Sequence, residues 1–113
     1  MSNQRMIVSD DEVERALDWL RDSAQEIGNA KANAVRAGHM IKHVKALVMR
    51  VHDGKPASHQ EREALASPEY LQAIEEDAMA AGELMKLQAL REAAALKIEA
   101  WRSSSANFRA MRI

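Results

Sequence analysis

Twelve apolar residues spaced three and four apart run through one stretch of the chain: Val13, Leu17, Leu20, Ala24, Ile27, Ala30, Ala34, Ala37, Ile41, Val44, Val48 and Val51. That spacing keeps a row on one face of an α-helix, whereas the alternation a strand requires fails at once. At ~1.5 Å per residue, a helix from Ser9 to His52 is roughly 65 Å long. A chain of 113 residues cannot wrap such a rod in a globular core. The stretch must therefore pair lengthwise with another helix.

The pairing cannot be rich in buried area. Apolar residues make up 47% of the sequence, but about a fifth of the chain is alanine and only 4% is aromatic. Alanine removes little surface from water, so a lone compact chain is marginal and close helix packing or self-assembly is the remedy. Cysteine is absent, which excludes disulfides and thiolate chemistry and suits a reducing compartment. No apolar run approaches the ~18 residues of a membrane span, and Met1–Glu12 lacks the basic-then-apolar order of a signal peptide. A cytoplasmic location is expected, with no membrane partner.

Residues 1–8 show no periodicity and are expected to be flexible or to dock a partner. Ser9-Asp10-Asp11-Glu12 reads as a capping box opening the first helix, over residues 9–52. One continuous helix is expected, with a break near Gly28 or Gly38 as the alternative. Asp53-Gly54-Lys55-Pro56 ends it, because glycine caps and proline forbids continuation. Residues 53–67 form a connector in which Ser58–Glu61, a second capping box, opens a short helix through about Ala66. Ser67-Pro68-Glu69 starts the second long helix, over 68–103, with a seam of Leu71, Ile74, Ala78, Ala81, Leu84, Leu87, Ala94, Ile98 and Trp101. Ser103-Ser104-Ser105 weakens it, and residues 104–113 form a basic tail that continues as helix or frays.

The fold expected is all-α: a single domain of two long helices in an antiparallel, coiled-coil-like hairpin with a short connecting helix, assembled into an oligomer. Charge selects the antiparallel sense. The first helix opens with Asp10, Asp11, Glu12, Glu14, Asp18, Asp22 and Glu26, then carries Lys31, Arg36, Lys42, Lys45 and Arg50 with no acid from Ile27 to His52. The second is acidic first (Glu69, Glu75, Glu76, Asp77, Glu83) and then gains Lys86, Arg91, Lys97 and Arg102. Each surface pair contributes only tenths of a kcal/mol.

His39 and His43 stand four apart, a helical metal spacing, but no HExxH surrounds them and the neighbours are cationic. No phosphate loop, dinucleotide fingerprint or nucleophile elbow occurs, so neither catalytic residues, a metal nor a cofactor is expected. The basic stretch is either answered by the second helix's acids or free for phosphates through Lys42, Lys45 and Arg50. In the tail, Arg102, Phe108, Arg109 and Arg112 are the residue types that track a single strand's backbone and stack its bases. Trp101 is expected to close the hairpin end on Leu17 or Leu20.

Ser58-x-x-Glu61-x-x-Ala64, Ser67-Pro68-Glu69-Tyr70 and Trp101-Arg102-Ser103-x-Ser105-Ala106-Asn107-x-Arg109 resemble small all-helical bacteriophage proteins. The layout of long helix, connector and long helix also resembles the UvsY family of phage recombination mediators. That resemblance implies a homo-oligomer of helical hairpins that binds single-stranded DNA and helps load a recombinase. A structural or adaptor protein that self-assembles or holds a protein partner is the competing expectation.

Overall fold

The computed structural model describes residues 8–111, and among them it holds four helices and no strand. They are α1 (Asp10–Asp22), α2 (Ala24–Val51), α3 (Ala57–Leu65) and α4 (Pro68–Met111). The chain divides into two compact units, one drawing together the described parts of Met1–Ile27 and Lys86–Ile113, the other Gly28–Met85.

In the first unit, Ser9 caps α1: its Oγ accepts from the Glu12 backbone N–H at 3.1 Å. Val8 and Val13 occupy the two positions of a hydrophobic staple around that cap, and both are buried. Val8 thus belongs to the fold, although the sequence places it in a flexible leader; Met1–Ile7 lie outside the described residues. The Trp101 indole Nε1–H donates to Asp10 Oδ1 at 2.7 Å. Further along α1, Ala16 and Trp19 line a cleft with Leu90, Ala94 and Lys97 of α4. Numbering rises on one helix as it falls on the other, so α1 and this stretch of α4 are antiparallel.

The first long helix is interrupted at Ser23, not at Gly28 or Gly38 and not nowhere. Ser23 keeps the hydrogen-bond ladder, donating to the Trp19 carbonyl at 2.8 Å and accepting from the Ile27 N–H at 2.9 Å. Its backbone departs from helical values at φ −89°, ψ −4°. Asp18 and Asp22 near the end of α1 oppose the helix dipole, and serine propagates a helix poorly. Gly28 and Gly38 sit inside α2; a Cβ at Gly38 would meet Asp77 Oδ1 at 3.7 Å, an ordinary contact.

In the second unit, Gly54 turns the chain with φ +91°, the left-handed conformation that glycine alone adopts freely. Ser58 does not cap α3. The helix begins at Ala57 after Pro56, which makes no side-chain cap, and the Pro56 carbonyl accepts from the His59 and Gln60 N–H groups. Proline's fixed φ presets that entry two residues ahead of the expected box. Ala64 of α3 is fully buried, and Lys45 Nζ meets Glu61 Oε1 at 2.9 Å to tie α3 to α2. Ser67 does cap α4, its Oγ accepting from Tyr70 N–H at 3.1 Å and donating to the Ala64 carbonyl at 2.7 Å.

Burial fixes the inward row of each helix. On α1–α2 the least exposed positions are Val13, Ala16, Leu20, Ser23, Ile27, Ala30, Ala34, Ala37, Ile41, Val44 and Val48. They alternate three and four apart without a slip. Leu17 and Ala24, expected in the seam, are exposed, and so is Val51. On α4 the inward row is Tyr70, Ala73, Asp77, Ala80, Leu84, Leu87, Ala94, Ile98, Trp101, Ser105 and Phe108. The expected seam is right from Leu84 onward, but Leu71, Ile74, Ala78 and Ala81 face solvent. Helix α4 also runs through Ser103–Ser105 to Met111 instead of ending at 103, because Ser105 and Phe108 continue the inward row.

Candidate nucleic-acid interface

Lys42 and Arg50 project from α2, both exposed, and neither forms an ion pair among the described residues. Lys45 is different: it is half-buried and engaged by Glu61, so its charge is already answered. That partner comes from α3, not from the acidic start of α4. Met40, Leu47 and Val51 supply exposed apolar surface on the same helix.

The C-terminal candidates behave unequally. Arg102 lies within 3.7 Å of Glu99, one helical turn back, with both side chains largely in water. Such a pair is weak and open to exchange. Phe108 sits half-buried on the inward row of α4, and Trp101 spends its indole N–H on Asp10, so neither ring is a free stacking platform. Leu17, one of the two residues on which Trp101 is expected to close, is 52% exposed. Arg109 is exposed in the last turn of α4; Arg112 lies outside the described residues. Of the candidate cations, Lys42, Arg50 and Arg109 are therefore the ones left in water with no carboxylate among the described residues.

Two features escape a reading of the sequence. The first is a cleft of ≈ 340 Å³ lined by Glu12, Arg15, Ala16, Trp19, Leu90, Ala93, Ala94 and Lys97. Its walls are mostly apolar, and Glu12, Arg15 and Lys97 supply its charged groups. The second is the exposed row Leu71, Ile74, Ala78, Ala81 and Met85 on α4, whose first four residues the spacing assigns to the seam. At the end of α1, Arg21 Nε donates to Asp22 Oδ1 at 2.9 Å, and Asp18 stands at 3.4 Å. That hydrogen bond holds the Asp22 carboxyl below its ordinary value and raises the Arg21 guanidinium above its own.

Among the described residues no three His, Asp or Glu side chains converge as metal ligands, and His39 and His43 are exposed. No helix among them is long and apolar enough to cross a membrane. Compared with models of known families, with characterised proteins and with solved structures, the chain matches none.

Proposed function

We propose that the chain is a non-enzymatic accessory protein of DNA recombination: an antiparallel helical hairpin that works as a homo-oligomer and holds single-stranded DNA, as a recombination mediator does. The observation that carries this reading is the exposure of Lys42 and Arg50 without ion pairs inside a stretch that has no acid from Ile27 to His52. If the hairpin answered its own charge, these cations would meet α4's carboxylates. Instead they remain available to phosphates, whose contacts supply most non-specific affinity. Arg102, Arg109 and Arg112 add to the cationic surface, while Phe108 serves the fold. A recombinase is the protein partner this reading implies.

A second reading, an adaptor without nucleic acid, draws on the exposed apolar row of α4. Light-scattering mass together with the absorbance ratio of purified protein, followed by fluorescence anisotropy on a labelled single-stranded oligonucleotide at low salt, separates the two. An oligomer whose anisotropy rises on titration supports the mediator reading. An oligomer that leaves the oligonucleotide free at tens of micromolar chain supports the adaptor.

A further inference from the structure

Within the Gly28–Met85 unit the charges are sorted by helix. Its part of α2 carries Lys31, Arg36, Lys42, Lys45 and Arg50 and no acid; its part of α4 carries Glu69, Glu75, Glu76, Asp77 and Glu83 and no lysine or arginine. Each helix also keeps a second, wholly exposed row at three-and-four spacing. On α4 it is Leu71, Ile74, Ala78, Ala81 and Met85, with Glu75 and Met79 along its outer margin. On α2 it is Arg36, Met40, His43 and Leu47. Leu71 is 59% exposed and Met85 71%, so the α4 row is open surface and not an extension of the core.

We infer that these two faces are the halves of one self-assembly contact, in which the outer row of α4 in one copy docks on the outer row of α2 in the next. The occupant is a second copy because the chain itself offers a complementary face of matching periodicity, with Met40 and Leu47 to meet the apolar row and Arg36 to answer Glu75. The sorting also decides which faces meet. Setting α4 on α4 or α2 on α2 brings like charges together, whereas α4 on α2 pairs unlike ones. Lys42 lies on the other flank of α2, off this row, so assembly leaves it open, whereas Arg50, three residues past Leu47, borders the contact.

This inference rests on the homo-oligomeric part of the proposed function, and complementary variants test the two separately. R36E/H43E makes the α2 row acidic; E75K/M79K makes the α4 margin basic. All four side chains are exposed, and circular dichroism melts check that each variant folds. Light scattering on wild type is expected to give a multiple of 12.6 kDa. Each variant alone is expected to fall to a single chain, because its own two faces now repel. Mixing the two is expected to restore the wild-type mass, since each variant supplies the face the other lacks. A variant that assembles alone as wild type does, or a mixture of single chains that stays dissociated, overturns the α4-on-α2 contact while leaving the oligomer standing. A monomeric wild type overturns both.

Discussion

Ser23 is the residue at which local chemistry and packing disagree. It occupies an inward position of the α1–α2 row and is 4% exposed, yet its Oγ has no hydrogen-bond partner among the described residues. A buried hydroxyl left unpaired costs about 1–3 kcal/mol. Ser23→Ala is therefore expected to stabilise the fold by about 1 kcal/mol, also gaining helix propensity, as read by urea denaturation. Trp101 presents the reverse case, an indole N–H that does find its acceptor. Asp10→Ala is expected to lower stability by about 1 kcal/mol and shift the emission of Trp101 in a W19F background. Asp22 predicts a pH dependence. Its folded carboxyl titrates below the ordinary range because of Arg21, so its contribution is present above the unfolded pKa and is lost as pH falls through the folded one. Both groups stand in water, so the effect is small. Asp22→Asn and wild type are expected to differ near neutrality and converge in acid.

Helix register separates core from surface on α4, and paired truncations test it. Leu87 is 3% exposed and Leu71 59%, although both are leucines on the same helix. Leu87→Ala is expected to cost about 2–4 kcal/mol in chemical denaturation, against a few tenths for Leu71→Ala measured where the chain is monomeric. Equal losses would mean that the α4 row is misassigned. Much of this was legible from spacing: helical character, Ser9, Gly54 and Ser67 as punctuation, and the inward rows from Ile27 to Val48 and from Leu84 to Trp101. The failures share one physical cause. Where alanine occupies several faces, apolarity does not mark the buried one, and a bulky Leu17, Leu71 or Ile74 draws the seam one residue aside. An unbroken helix refuses that slip, since a row ending in Leu84 and Leu87 continues back through Ala80, Asp77 and Ala73. The small side chains there also allow the close approach of Gly38 to Asp77. Ser58 failed as a cap for a different reason, because Pro56 had already set the entry of α3.

At the scale of the molecule, the sparse core and the open apolar rows belong together. Among the described residues the buried apolar side chains are valines, alanines and a single leucine, and no large side chain is fully buried. A fold of that kind gains from association, and its stability is expected to rise with chain concentration. The candidate site was only partly legible: Lys42 and Arg50 could be named from charge pattern, but that Glu61 claims Lys45 and the inward row claims Phe108 depends on packing that sequence does not display. The central claim is that unpaired cations on α2 hold a nucleic-acid backbone. Its most direct test is the salt dependence of single-stranded DNA affinity for wild type and for K42Q/R50Q. For single strands, log K falls with log salt at about 0.7 per phosphate contacted, so losing two contacts is expected to flatten the slope by about 1.4. Wild-type binding that is indifferent to salt, or a slope unchanged in the double variant, would contradict it.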